Sequence, residues 1–174
     1  MPHIAVNVTA PARGCAEVQC ERGMKFADFH AGQVIEAGAY AVTEAEVLQF
    51  AKAHDPQWFH TDPAAATQGR FRGLIASGWH TCGIAMRLAA DAALAGSESY
   101  ASPGLAYVKW QHPVCPGDLL SLTATVIDVR RSRGQPDMGI LRWRWQLRNA
   151  AAIEVLDLEA TSLFDLSRTT PPPL

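Results

Sequence analysis

A long apolar segment runs from Trp79 to Gly96 and reads Trp79-His-Thr-Cys-Gly-Ile-Ala-Met-Arg-Leu-Ala-Ala-Asp-Ala-Ala-Leu-Ala95-Gly96. It is rich in Ala, Leu, Ile and Met and apolar on nearly every face, so it predicts a helix that is buried on all sides and ends at its C-terminal glycine. Arg87 and Asp91 lie on one stripe of this helix and argue against a membrane span, which needs about 18 or more uninterrupted apolar residues. The chain is therefore expected to build its core around one long internal helix.

The residues that follow predict four strands, at 105–112, 119–129, 140–148 and 153–164. The second and third alternate apolar and polar residues with the period of two that a half-buried strand shows. In the third strand Trp143 and Trp145 fall on the apolar side, and we interpret them as sheet core or dimer surface rather than as a ligand cage. One buried helix followed by long antiparallel strands predicts an α+β domain whose sheet wraps the helix.

A shorter helix is indicated upstream. Thr43-Glu-Ala-Glu46 has the form of a capping box, in which Thr43 caps the helix and Glu46 reaches back to it. Pro56 ends this helix, because proline disfavours the helical conformation in the residue before it, Asp55. Asp62-Pro63 then indicates the start of a second short helix, which runs through Thr67.

The connection between these two helices reads Asp55-Pro-Gln-Trp-Phe-His60 and places an acid and an imidazole five residues apart. Both groups are held between rigid elements, which is the support that an acid/base pair needs. The alternative is that Asp55 only terminates a helix and that His60 is only a hydrogen-bonded loop residue.

Ser77-Gly78 lies where the long helix is expected to begin. The first N–H groups of a helix have no internal partner and carry a partial positive charge, and glycine lets a ligand approach them closely. The pair therefore predicts a site for a developing oxyanion. The alternative is that Ser77 is only an N-cap and that Gly78 is only a packing glycine.

Length and charge limit the classes of protein to which this chain can belong. The 174 residues suit one domain with a sizeable core. A net charge of −2 gives no general attraction for nucleic acid or for a membrane surface, so neither is expected as a partner. The short basic cluster Arg130-Arg131-Ser-Arg133 is interpreted as a solvated loop, with a contact to coenzyme phosphates as the alternative.

Cysteine and histidine usage predicts no metal site and no cofactor. The four cysteines fall in dissimilar contexts that form neither a disulfide framework nor a metal motif, which favours a reducing cytoplasm. The histidines that could be considered as zinc ligands match no familiar spacing. These residues are Cys15, Cys20, Cys82 and Cys115, and His54, His60, His80 and His112.

Three regions are distinguished along the chain. Residues 1–23 are predicted to form an N-terminal extension, which lacks the basic start and apolar core of a signal peptide. Residues 24–166 form the single domain, and the sequence leaves open whether Met1 or Met24 is the natural start. Residues 167–174 form a Pro-rich tail that cannot continue a strand.

Several segments of the domain together resemble the MaoC-like acyl dehydratases and the (R)-specific enoyl-CoA hydratases, and the resemblance covers roughly residues 26 to 164. The segments that carry it are Phe26-Ala-Asp-Phe-His-Ala-Gly32-Gln, Thr43-Glu-Ala-Glu-Val, Phe50-Ala-Lys-Ala-His-Asp55-Pro-Gln-Trp-Phe-His60-Thr-Asp-Pro-Ala-Ala-Ala, Gly73-Leu-Ile-Ala-Ser-Gly78 and Trp110-Gln-His-Pro113-Val-Cys-Pro-Gly117-Asp118.

This resemblance implies a hot-dog fold, in which an antiparallel sheet wraps a long central helix. It also implies a homodimer with the two sheets joined edge to edge, or a dimer of dimers, with active sites near the interface. The implied reaction is the reversible addition of water to a 2-enoyl thioester of coenzyme A or of a carrier protein, as in fatty acid metabolism. The resemblance leaves the acyl chain, the carrier and the physiological direction open.

Carried over position by position, the resemblance implies that Asp55 and His60 are catalytic and that the Gly78 N–H holds the thioester oxygen. Many hydratases read Asp-x-Asn-Pro-x-His, where this chain has Gln57 and Trp58, and many have His-Gly at the helix start, where it has Ser77-Gly78. We expect Trp58, Ser77 and Trp79 to contact the substrate. Because indoles fill space, at least one of the two tryptophans should restrict the pocket to short or compact acyl chains.

Two other classes of function remain open from the sequence. A hot-dog thioesterase would use a carboxylate near the same helix to hydrolyse the thioester, and release of free thiol would identify it. A non-catalytic protein that binds acyl thioesters would tolerate the loss of Asp55 or His60.

Overall fold

The computed structural model describes residues 23–167, which form one five-stranded antiparallel sheet in the order β1-β3-β4-β5-β2 and the helices packed against it. Residues 1–22 of the predicted extension, with Cys15 and Cys20, and residues 168–174 of the tail lie outside the described part. The strands are β1 (Val34–Ala41), β2 (Ser99–Trp110), β3 (Leu119–Arg131), β4 (Met138–Asn149) and β5 (Glu154–Asp165). The helices are α1 (Glu44–His54), α2 (Trp58–Thr61), α3 (Pro63–Thr67) and α4 (Gly78–Ala89). The α+β prediction is confirmed.

The central helix α4 begins at Gly78 and continues after Ala89 as one wider π-helical turn, Ala90–Leu94, before the chain turns at Gly96 with φ of 74°. The prediction that this helix is buried on all sides is wrong within one chain. The sheet covers only one side of it, so Trp79 and Met86 remain 60% and 45% exposed. The side that faces the sheet is closely packed and contains Ile84, Ala85, Leu88 and Ala89.

The alternation predicted for β3 and β4 is confirmed, and it supplies the core. Trp143 is fully buried, donates a hydrogen bond from its indole N–H to the Ser162 hydroxyl (3.3 Å) and packs edge-on against Trp145. Both tryptophans thus belong to the sheet core, which was one of the two interpretations; the other was a dimer surface. The apolar residues that β3 and β4 bury are Leu120, Leu122, Ala124, Val126, Leu141, Trp143, Trp145 and Leu147.

The sequence did not predict β1 or the first half of β2. β1 reads Val34-Ile-Glu-Ala-Gly-Ala-Tyr-Ala, whose alanines and glycine have low strand propensity, and it forms because it pairs with β3. β2 was expected to start at Leu105, but it starts at Ser99 and runs through Pro103. Proline is tolerated there because β2 is an edge strand, where a missing N–H removes no ladder hydrogen bond on the open side.

The helix ends that flank the loop with Asp55 follow the sequence closely. Thr43 accepts a hydrogen bond from the Glu46 N–H (3.3 Å), and α1 ends at His54, directly before Asp55 and Pro56. Asp62 caps α3 through the Ala65 N–H (3.0 Å). The capping box is incomplete, because the Glu46 carboxylate accepts a hydrogen bond from the Tyr40 hydroxyl instead of returning to Thr43.

Candidate active site

Asp55 and His60 lie side by side at the start of the central helix. Asp55 directly follows the last residue of α1, and His60 lies five residues further along the chain, in the short helix α2. The distance from His60 Nε2 to Asp55 Oδ2 is 3.4 Å. The His60 ring is buried, whereas the Asp55 carboxylate remains partly open to solvent. The structure therefore brings the predicted acid and imidazole together.

The protonation of His60 follows from its second nitrogen. Nδ1 lies 2.8 Å from the backbone oxygen of Ile75, and a carbonyl can only accept, so Nδ1 carries a proton. In the neutral ring, Nε2 is then an acceptor that faces the carboxylate of Asp55. Two acceptors cannot bond to each other, but a water molecule can donate one hydrogen to each of them. The pair is thus arranged to hold and activate water.

Asp55 is held as a carboxylate by its neighbours. The Ser77 hydroxyl donates to Oδ2 at 2.7 Å, and the Gln57 side-chain amide donates to Oδ1 at 2.8 Å. These hydrogen bonds, that from Ser77 above all, lower the pKa of Asp55 below its ordinary value against the opposing effect of burial. Asp55 is therefore ready to accept a proton at neutral pH.

Ser77→Ala should shift the pH dependence of activity. Removing the hydroxyl removes the largest cause of the lowered pKa, so the pKa of Asp55 should rise toward its ordinary value. Activity that needs the carboxylate is present above this pKa and lost as the pH falls through it. The acid limb of the kcat/KM profile should therefore move to higher pH. Gln57→Ala should move the limb in the same direction but less, and an unmoved limb in Ser77→Ala would contradict the assignment.

The structure supports the packing role of Gly78 and the capping role of Ser77. Gly78 is the first residue of α4, so its N–H has no acceptor within the helix, and Ser77 caps the helix through the Trp79 N–H (3.2 Å). It is also a packing glycine, since a Cβ at this position would lie 2.5 Å from the Trp110 ring. The Trp110 indole N–H donates to the Gly78 carbonyl (2.9 Å). The oxyanion role of the Gly78 N–H remains a prediction.

One cavity of about 330 Å³ joins these groups. It contains Asp55, His60, Ser77, Gly78 and Trp79 in its wall, so five of the six predicted site residues lie together. Trp58 does not line this cavity but a neighbouring one. The other residues of the wall are Phe71, Ile75, Ala76, Thr81, Trp110, Gln111, His112, Pro113 and Val114.

The cavity wall formed by Trp110, Gln111 and His112 was not predicted from the sequence. Trp110, Gln111 and His112 come from the end of β2 and the turn after it, and the His112 ring is fixed by a contact of 2.9 Å between its Nδ1 and the Glu154 carbonyl. The motif that begins at Trp110 carried part of the family resemblance, but nothing in its spacing placed it beside Asp55. Only the pairing of β2 with β5 brings it there.

The described part of the chain was predicted to hold no metal site and no membrane span. Among residues 23–167, no group of three or more His, Cys, Asp or Glu side chains comes together that could hold a metal ion. Within the same residues, no helix is both long and apolar enough to cross a membrane. Cys82 and Cys115 are free thiols.

Comparison with known proteins assigns the chain to a family. The model of the MaoC like domain matches residues 26–141. YdeM of Bacillus subtilis (strain 168), an uncharacterized protein, is 31% identical over 141 residues, which cover 81% of this chain and 99% of YdeM. Among solved structures, the MaoC-like dehydratase from Rhodospirillum rubrum is 31% identical with a TM-score of 0.75. The match covers 87% of this chain and 100% of the dehydratase chain.

The R-hydratase PhaJ1 from Pseudomonas aeruginosa shares the fold at 21% identity, with a TM-score of 0.65 and coverage of 87% of this chain and 96% of its own. The expected hot-dog fold is thereby confirmed. The chain belongs to the MaoC-like domain family.

Proposed function

We propose that this protein is a hydro-lyase that adds water reversibly to the double bond of a 2-enoyl thioester. The observation that carries the proposal is the Asp55–His60 pair, which faces a cavity whose wall also contains the first N–H groups of α4. Membership of a family that includes a MaoC-like dehydratase supports hydro-lyase chemistry in general. The thioester class and the residue roles are our inference.

In the proposed mechanism, water binds between Asp55 Oδ2 and His60 Nε2. Asp55 accepts a proton as the water oxygen attacks C3, and His60 orients that water and shares in the proton transfer. The negative charge that develops on the thioester oxygen is stabilised by the Gly78 N–H and by the positive end of α4. The pair then returns one proton to C2, so the reaction adds one water and needs no further reactant.

Neither the acid/base pair nor the oxyanion donor is expected to account for the whole rate enhancement alone. General acid/base assistance contributes typically about 10²–10⁴-fold, and one oxyanion donor contributes about 10²–10³-fold. The activity can be tested by following the loss of enoyl-thioester absorbance with crotonyl-CoA and with longer or branched enoyl-CoAs. Saturable loss of absorbance is expected, and a protein that leaves every enoyl thioester unchanged would contradict the proposal.

Trp79→Ala is expected to move the chain-length optimum toward longer acyl groups. The Trp79 indole lines the cavity and packs edge-on against Trp110, with ring centres 5.5 Å apart, so its removal opens the wall. A methylene in an apolar pocket is worth about 1–3 kcal/mol, so the change should be graded along a series of enoyl-CoAs. Trp58→Ala is the control for the chain-length profile alone, which it should leave unmoved because Trp58 lies outside this cavity. An unchanged profile in Trp79→Ala would show that the indole is structural only.

We expect the active protein to be a homodimer or a dimer of dimers. β2 pairs with β5 on one side only, and an open strand edge is a liability unless another chain covers it. Leu105 and Trp110 on β2 and Met86 on α4 are all more than 40% exposed in the single chain. Light scattering at micromolar concentration should give at least twice the mass of one chain, and a monomer would contradict this expectation.

The cysteine pattern favours a reducing compartment, and we therefore propose the cytoplasm as the location of this protein.

A further inference from the structure

A second cavity, of about 220 Å³, adjoins the one that contains Asp55 and His60. Phe71 belongs to the walls of both cavities, so the two are neighbours on one surface. The residues that line the second cavity are Trp58, Phe59, Ala66, Gly69, Arg70, Phe71 and Gly73. The wall is thus mainly apolar, with a single charged residue, Arg70. A long ligand in the first cavity could extend past Phe71 into the second.

The turn that carries Phe71 is held in a defined shape. The Arg72 N–H donates to the Gly69 carbonyl (3.1 Å), which closes the turn. Gly69 packs against the Trp58 indole so closely that a Cβ there would lie 2.7 Å from the ring. Arg72 adopts φ of 56°, a left-handed conformation that is uncommon for residues other than glycine and that tends to occur at functional sites. Arg70 lies in the wall of the second cavity, and Arg72 directly follows Phe71 in the same turn but belongs to neither cavity wall.

These two arginines have no acidic partner in the described part of the chain. Five other arginines form ion pairs with Asp or Glu, whereas Arg70 and Arg72 form none among residues 23–167. Both are exposed. A guanidinium presents several N–H donors in a plane and suits bidentate binding of phosphate. The arginines with acidic partners are Arg87, Arg130, Arg142, Arg144 and Arg148.

We propose that Arg70 and Arg72 bind the phosphate at the end of the pantetheine arm of the substrate, and that the arm lies along the second cavity. This inference rests on the proposed function, because an enoyl thioester of coenzyme A or of a carrier protein is joined to such a phosphate through pantetheine. A mainly apolar cavity with one guanidinium in its wall and a second one two residues further along the turn suits an arm with an anionic end. An acyl chain, which ends in a methyl group, would gain nothing from the guanidinium. Trp58 then contacts the arm and not the acyl chain.

The test compares crotonyl-CoA, crotonyl-phosphopantetheine and crotonyl-pantetheine, which share the reacting group but differ in their phosphates. In the double variant Arg70→Gln/Arg72→Gln, KM for the two phosphate-bearing substrates should rise roughly tenfold or more, since charge-assisted hydrogen bonds are lost. Their kcat should stay unchanged, and so should both constants for crotonyl-pantetheine. The control is Arg133→Gln, an exposed arginine in the β3–β4 turn, which lies at the opposite end of the sheet from Trp110. That distance argues against the alternative in which the basic cluster with Arg133 contacts coenzyme phosphates, so both constants should stay unchanged in this variant.

Three outcomes would overturn the inference. Unchanged kinetics would show that the arginines do not touch the substrate. An equal change for all three substrates would show a structural role only. A loss confined to crotonyl-CoA would place the contacts on the nucleotide instead of on the pantetheine phosphate.

The test also separates this inference from the proposed function. If the wild-type protein hydrates none of the three thioesters, the proposed function fails. The affinity for phosphopantetheine, measured by calorimetry, still decides on the arginine pair in that case. A roughly tenfold weaker affinity in the double variant supports the phosphate site, and an equal affinity overturns it.

Discussion

Asp55→Asn and His60→Ala should each lower kcat for hydration of an enoyl thioester by roughly 10²–10⁴-fold while the protein remains folded. Asn at position 55 cannot accept the proton of the attacking water, and without the His60 ring the water has only one of its two acceptors. Both residues lie in the connection between α1 and α3, where Asp55 is partly exposed but the His60 ring is buried and contacts the Ile75 carbonyl. We expect both variants to remain folded, with His60→Ala the less stable of the two because that carbonyl loses its partner. Steady-state kinetics and circular dichroism measure the two effects.

Matched controls exist elsewhere in the chain. Asp91→Asn and His30→Ala change an exposed acid and an exposed imidazole outside the cavity wall, and both should keep wild-type kcat. The double variant Asp55→Asn/His60→Ala should lose little more than either single variant, because groups that act on one water are not additive. Activity within a few-fold of wild type in either single variant, with an unchanged spectrum, would remove the dyad from the mechanism.

Gly78→Ala should lower kcat by roughly 10²–10³-fold, the usual value of one oxyanion donor. The new Cβ would lie 2.5 Å from Trp110 Cε2, a distance that real structures do not tolerate. The indole is held by its hydrogen bond to the Gly78 carbonyl and by the Trp79 ring, so the first turn of α4 must shift. A displacement of about 1 Å at a reacting group can cost 10²-fold in rate.

Gly83→Ala provides the control on the same helix. Gly83 is exposed, and a Cβ there meets no atom within 4 Å. This variant should keep full activity and gain about 0.8–1.0 kcal/mol in the free energy of unfolding, because alanine is the better helix former. Thermal unfolding and kcat should be measured for both variants. Full activity in Gly78→Ala would show that the position of this N–H does not matter for catalysis.

The parts of the fold that the sequence predicted are those in which local signals and tertiary packing agree. β3 and β4 alternate cleanly because one face is core, and Thr43, Pro56 and Asp62 set helix ends through local stereochemistry. β1 was missed because its residues have little strand propensity of their own, and only pairing with β3 makes it a strand. The exposure of Trp79 was missed because composition shows that a helix is apolar but not how many of its sides are covered.

The candidate site likewise contains residues that local sequence signals indicate and residues that only the tertiary structure brings in. Asp55 and His60 were found because they lie in one short connection, and Ser77-Gly78 because a helix start has recognisable chemistry. Trp110 and His112 were not assigned, because their place opposite the dyad depends on the register of β2 against β5. The separation of Trp58 from the main cavity could not be seen either, since it depends on how Gly69 packs against the Trp58 ring.

The most direct test of the proposed chemistry is to incubate the purified protein with crotonyl-CoA and identify the product by mass spectrometry. We expect a species heavier by one water, with the thioester intact, in wild type and in the Asp91→Asn control but strongly reduced in Asp55→Asn. Free coenzyme A as the product would identify a thioesterase instead. Recovery of unchanged crotonyl-CoA from a wild-type protein that binds it would identify a binding protein, and either result would contradict the assignment of Asp55 and His60 to the addition of water.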